Sequence, residues 1–170
     1  EVIEFETKCA EYIGTQHAIG TSSGTDALVL ALRALAIRDK GEEFFEPTDL
    51  IIATPLTFTS TGDAILRAGA TPLFLDVETN GFNLDVNQIV ELIKTEKIDP
   101  TRVVGILPVH LFGHPCNMAQ ILDLSQQYKW FVLEDAAQAF GAKWQGQTLG
   151  SLGTIGAFSF FPTKNLGGFG

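Results

Sequence analysis

The sequence predicts an α/β protein with a mostly parallel sheet covered by helices on both faces. Three observations carry that expectation. Short apolar runs alternate with longer segments of helical spacing, the runs are apolar at consecutive positions, and glycines or small polar residues mark the changeovers. A strand that is apolar throughout is one buried on both sides, as in sheets built from repeated strand and helix units.

Taken in order, Val2, Phe5, Cys9, Tyr12 and Ile13 recur at helical spacing and stop at Gly14, which predicts a helix with a glycine C-cap. A strand is expected at His17–Thr21. Ser22, Ser23 and Gly24 then interrupt, and Thr25–Ile37 is apolar nearly all round, so it reads as a buried helix. The charged stretch Arg38–Asp49 contains Pro47 and reads as a surface loop. Leu50–Ala53 reads as a strand, Phe58–Ala68 as a helix ended by Gly69, Thr71–Val77 as a strand, Asp85–Lys97 as a helix and Val103–Val109 as a strand. Met118–Tyr128 is again helical, Trp130–Leu133 again a strand, and the aromatic-rich Ile155–Phe161 a further one.

At 170 residues the chain suits one domain with a sizeable core. Lys and Arg number 11 against 20 Asp and Glu, a net charge of −9 that disfavours nucleic acid and anionic membrane surfaces as partners. A bound phosphate must therefore be held locally, by N–H groups at a helix start. Cys9 and Cys116 have neither metal-ligand spacing nor a CxxC pattern, and read as reduced, packed thiols of a cytoplasmic protein. No run of about 18 apolar residues is present, and the acidic start is unlike a signal peptide. Residue 1 enters a helical pattern without Met and the chain stops inside NLGGFG, so a fragment is expected.

In such sheets ligands bind beyond the carboxyl ends of the strands. That rule selects Thr21–Asp26, Thr54–Phe58, Val109–Pro115, Glu134–Ala139 and Phe161–Gly170. Within the first, small residues Ser22–Thr25 before a buried helix let a backbone approach an anion, although the same residues also make an ordinary N-cap. Glu134 and Asp135 follow the apolar WFVL, and a carboxylate drawn partly out of water there wants a cationic partner such as a protonated pyridine nitrogen. Lys164 follows an aromatic strand and precedes LGGFG; in a desolvated pocket a lysine can attack an aldehyde. Together the three segments suggest one ligand with a phosphate, a ring nitrogen and a carbonyl.

SSGTDAL, TFTST, PVHLFGHP, EDAAQAFGA and FSFFPTKNLGGFG, in this order, resemble the motifs of the DegT/DnrJ/StrS family of pyridoxal-phosphate (PLP) sugar aminotransferases, over nearly the whole chain. The resemblance implies a PLP-dependent transferase of fold type I, with the active site at a homodimer interface. Residues 1–170 would be the PLP-binding large domain, incomplete, and a smaller C-terminal domain would lie outside this chain. Lys164, in PTKNLG, would carry the cofactor as a Schiff base and move a proton. Asp135 would pair with the pyridine nitrogen, Gln138 would sit near the phenolic oxygen and Phe58 would stack on the ring. Gly24 and Thr25 would bind the phosphate, with Ser159 adding a side-chain hydrogen bond.

The implied activity transfers an amino group, from glutamate as the expected donor, to a keto group of a nucleotide-linked sugar. Three alternatives stay open: a sugar dehydratase of the same family, which has histidine in place of Lys164, a regulatory homologue without turnover, and another PLP reaction such as elimination or decarboxylation. His110 and His114 share no helix face in HLFGHP, which speaks against a metal site. His110 is expected near the substrate or beneath the cofactor, and His17 in a structural role. Arg38–Asp49 is longer and more acidic than the short turn usual in the family.

Overall fold

The computed structural model describes residues 1–168. Its helices are α1 (Val2–Ile13), α2 (Gly24–Lys40), α3 (Ser60–Arg67), α4 (Val86–Lys94) and α5 (Met118–Tyr128). Its strands are β1 (Leu50–Ala53), β2 (Thr71–Phe74), β3 (Val103–Ile106), β4 (Phe131–Asp135), β5 (Lys143–Trp144), β6 (Gln147–Thr148) and β7 (Ile155–Ala157). Five of the strands form one sheet in the order β2-β1-β3-β4-β7, and every pairing in it is parallel. The remaining two, β5 and β6, make a small antiparallel hairpin.

Alternation along each strand divides the core into two layers. Ile51, Ala53, Phe131 and Leu133 join Leu28, Leu32 and Leu35 of α2 and Ile65 of α3 on one face. Ile52, Ile106 and Val132 join Ile89 of α4 and Met118 and Ile121 of α5 on the other. Each of these side chains larger than alanine contributes about 1.5–3 kcal/mol when fully buried. Gly105 is required where β3 meets β4, because a Cβ there would lie 2.2 Å from the Phe131 ring.

Several expected boundaries shift for identifiable reasons. The Thr25–Ile37 helix extends to Lys40, where Gly41 stops it in the left-handed conformation (φ 74°), so the loop after it starts later than Arg38. It is also not buried all round, since Leu30 and Ile37 are exposed. No strand forms at His17–Thr21: no neighbouring strand pairs with it among the described residues, and His17 is exposed rather than built into the core. Pro108 lacks the N–H needed to continue β3 to Val109, though Val109 still bridges to Asp135. Asp85 caps α4 from outside by accepting the Asn87 N–H, and Thr95 ends it before Lys97. The expected strands Thr71–Val77 and Ile155–Phe161 shorten to β2 and β7, which leave the ladder where β1 and β4 end. In contrast β4 runs past Leu133 to Asp135, and the β5–β6 hairpin was not anticipated.

Candidate active site

Side-chain alternation sends the two carboxylates at the end of β4 to opposite faces of the sheet. Asp135 continues the row of Phe131 and Leu133, toward α2 and α3, and is 4% exposed. Its backbone is held on two sides, by Asp135 N–H donating to Pro108 O at 2.9 Å and by its own carbonyl accepting the His110 N–H at 3.0 Å. Its carboxylate accepts only neutral donors: the Thr61 hydroxyl at 3.0 Å and the Ala137 N–H at 3.2 Å. Burial pushes the Asp135 carboxyl above its ordinary range, against those hydrogen bonds and the more distant His110 and Lys164.

Glu134 points the other way, is fully buried, and is closed by protein donors. The Gly150 N–H donates to Oε2 at 2.8 Å, and the Leu152 and Gly153 N–H groups donate to Oε1 at 2.7 and 2.6 Å. His110, also fully buried, donates from Nε2 to Oε2 at 2.9 Å; its Nδ1 accepts the Cys116 N–H at 3.2 Å, which fixes that tautomer. Burial raises the Glu134 carboxyl, but the bonds from His110, Gly153 and Gly150 outweigh it and hold the group below its ordinary range. Glu134 thereby pins the Gly150–Gly153 loop that leads into β7.

The start of α2 reaches the segment after β7. A Cβ at Gly24 would lie 2.9 Å from Ser159 Cβ and 3.3 Å from Phe158 O, so the two backbones meet because residue 24 is glycine. Ser23 is the N-cap, accepting the Asp26 N–H at 3.0 Å, so the capping reading holds. The Gly24 and Thr25 N–H groups lie in the first turn, where a helix has no internal acceptors. Lys164 is half-buried in a turn closed by Lys164 N–H to Phe161 O at 2.8 Å and Gly167 N–H to Lys164 O at 2.9 Å. Ser159 accepts the Phe161 N–H at 3.4 Å.

Gln138, three residues beyond Asp135, accepts the Phe112 N–H on Oε1 at 2.8 Å. Phe58 lies one turn before Thr61, whose N–H donates to Phe58 O at 3.1 Å. The Phe58 ring is 68% exposed and borders a groove with Thr57, Leu66 and Phe74. The His110 ring is fully buried between Glu134 and the Cys116 N–H. Both thiols are free and buried, and burial pushes Cys116 up to about 12.

Sequence reasoning missed Thr61, the side-chain donor to Asp135. The signal was the last threonine of TFTST, three residues after Phe58 and in the first turn of α3. It also left the roles of Glu134 and His110 open, which only the strand register separates.

A carboxylate that is buried and met by neutral donors alone fits a ligand cation. Helix N–H groups beside Ser159 fit an anion. Among the described residues no carboxylate lies within ion-pair distance of Lys164, as suits an amine used as a nucleophile. The residues present therefore fit PLP, and the fold is that of a PLP-dependent transferase of fold type I. The chain belongs to the DegT/DnrJ/EryC1/StrS aminotransferase family, whose model matches residues 1–170. That family and its structural neighbours are PLP-dependent.

Its relatives include the UDP-N-acetyl-3-dehydro-alpha-D-glucosamine 3-aminotransferase of Acidithiobacillus ferrooxidans, 44% identical over 97% of this chain and 41% of that protein. Another is the dTDP-3-amino-3,4,6-trideoxy-alpha-D-glucose transaminase of Streptomyces venezuelae, 39% identical over all of this chain and 41% of that protein. Among solved structures, S. venezuelae DesV in complex with a ketimine intermediate superposes with a TM-score of 0.82 at 37% identity, over 99% of this chain and 42% of that one. The chain thus spans about two fifths of the length of the relatives it matches.

Proposed function

We propose that this chain provides the cofactor site of an aminotransferase that moves an amino group from an amino acid, glutamate as the first candidate, to a keto group of a nucleotide-linked sugar. The observation that carries the reading is Asp135: a buried carboxylate at the end of β4, positioned by Thr61 and raised by burial. The relatives named for UDP- and dTDP-linked sugars support the substrate class.

In this reading Asp135 holds the proton on the ring nitrogen of PLP and Gln138 meets the phenolic oxygen. Phe58 lies against the ring, and Gly24, Thr25 and Ser159 hold the phosphate. Lys164 supplies the ε-amine, as covalent anchor and as the group that carries a proton at Nζ. When bound, PLP supplies an electron-withdrawing ring and a carbonyl for amine exchange. Lys164 favours amino transfer over the dehydratase branch, where histidine stands at that position. We further propose a cytoplasmic homodimer. Two free, buried thiols support the compartment, and no helix among the described residues is long and apolar enough to cross a membrane.

The test is the visible absorption of the purified protein with PLP, before and after L-glutamate, alongside Lys164→Ala. A band that requires Lys164 and is bleached by glutamate supports transfer. A Lys164-dependent band that no amino acid alters would rule out transamination.

A further inference from the structure

Phe112 holds a backbone conformation that phenylalanine rarely adopts. Its φ is 56° and its ψ 21°, in the left-handed region that L side chains disfavour. The ring does not account for this, since Phe112 is 72% exposed and packs edge to face, at 5.7 Å, on Phe82, which is itself exposed. What the conformation achieves lies on the backbone: the N–H turns onto Gln138 Oε1 at 2.8 Å.

The turn is braced around that contact. Gly113 follows with φ 78°, and its N–H donates to His110 O at 3.1 Å. Asn83, 2% exposed, donates from Nδ2 to His114 O at 3.2 Å and Pro115 O at 2.8 Å. His110, the first residue of the turn, is itself fixed by Glu134.

A backbone N–H can be met only by the oxygen of the Gln138 amide, which leaves the NH2 as the group Gln138 can offer. We infer that Phe112 is a positioning residue: its left-handed N–H fixes which end of the Gln138 amide faces the site, so that Gln138 meets a ligand oxygen as a donor. The inference rests on the reading that Gln138 contacts the phenolic oxygen of PLP. Backbone strain kept next to a site is where such a role is found.

The test replaces Phe112 by its α-hydroxy analogue, which keeps the ring and turns the amide N–H into an ester oxygen, and compares it with Phe112→Gly, which keeps the N–H and relieves the strain. The first readout is the Gln138 side-chain NH2 resonance in the cofactor-free protein. It is expected to move in the ester variant and to stay in Phe112→Gly. The second is PLP affinity, expected to fall about three- to tenfold in the ester variant only, the worth of one net hydrogen bond.

Gln138→Glu, which keeps the acceptor and removes the donor, is expected to keep the Phe112 N–H bonded yet lose PLP affinity. A Gln138 resonance unmoved in the ester variant, or moved equally in Phe112→Gly, overturns the inference. A wild-type protein that binds no PLP contradicts the proposed function instead, and the cofactor-free resonance still decides the role of Phe112.

Discussion

Glu134 and Asp135 are adjacent in β4 and both lie out of water, yet burial leaves them with opposite proton affinities. Glu134 is met by the His110 ring and the N–H groups of Gly150, Leu152 and Gly153, which hold it below the ordinary carboxylate range. Asp135 has one hydroxyl and one N–H, and burial carries it above that range. The first carboxylate is saturated by its own chain and serves the fold. The second is met by neutral donors alone, which under the proposed function keeps a position ready for a cation at some cost to stability. Register alone separates them, since one residue along a strand exchanges one face for the other.

The largest expected effect breaks the saturated side. Glu134→Ala leaves three N–H groups and the His110 N–H without their acceptor, and is expected to destabilise the protein by about 3–5 kcal/mol in urea unfolding. A loss below about 1 kcal/mol would remove the distinction between the two groups.

Asp135→Asn should behave in the reverse sense. It can keep its oxygen for the Ala137 N–H and donate its NH2 to the Thr61 hydroxyl, which can then donate to Thr57. It also relieves the burial of a charge, so unfolding of the cofactor-free protein is expected to be unchanged or up to about 1 kcal/mol more costly. PLP affinity should fall by about tenfold or more, the worth of a hydrogen bond to a charged group, measured by absorption titration.

Thr61→Val sharpens the comparison on a smaller scale. Removing the hydroxyl is expected to weaken PLP binding by about three- to tenfold, one net hydrogen bond, and Thr61→Ser to restore it. If Val and Ser behave alike, Thr61 contributes packing rather than orientation.

The pH dependence is the most graded test. Glu134 has a folded value below its unfolded one, so its contribution is complete above the ordinary carboxylate range and is lost as pH falls through the folded value. Asp135 has a folded value above its unfolded one, so its ionisation costs stability at neutral pH, and that cost disappears at higher pH than the Glu134 loss, as pH falls from the raised folded value to the ordinary carboxylate range. Relative to wild type, Glu134→Gln should therefore be less stable and Asp135→Asn equally or more stable at pH 7, with both differences shrinking in acid. Thermal unfolding across pH measures this.

Much of this was legible in the residue pattern. Apolar runs such as LIIA and FVL, separated by helical periods, placed the strands and the loops at their carboxyl ends, because two-sided burial leaves a continuous signature. The ends of elements were less legible. The stop at Pro108 and the N-cap at Asp85 are set by single groups, and His17–Thr21 forms no ladder because pairing depends on a neighbour that local sequence does not specify. Asp135, Gln138 and Lys164 stood out by motif, whereas Thr61 lies 74 residues from its partner and enters only through a hydrogen bond that the fold closes between α3 and the end of β4. The Phe112 turn was invisible, since nothing in HLFGH announces a left-handed phenylalanine.

The most direct test of the central claim is a side-chain carboxyl NMR titration of Glu134 and Asp135, with and without PLP. Asp135 is expected to titrate above the ordinary range in the cofactor-free protein and to fall well below it when PLP binds, while Glu134 stays low in both. An Asp135 titration that PLP leaves unmoved, or a Glu134 titration that follows the cofactor instead, would contradict that claim.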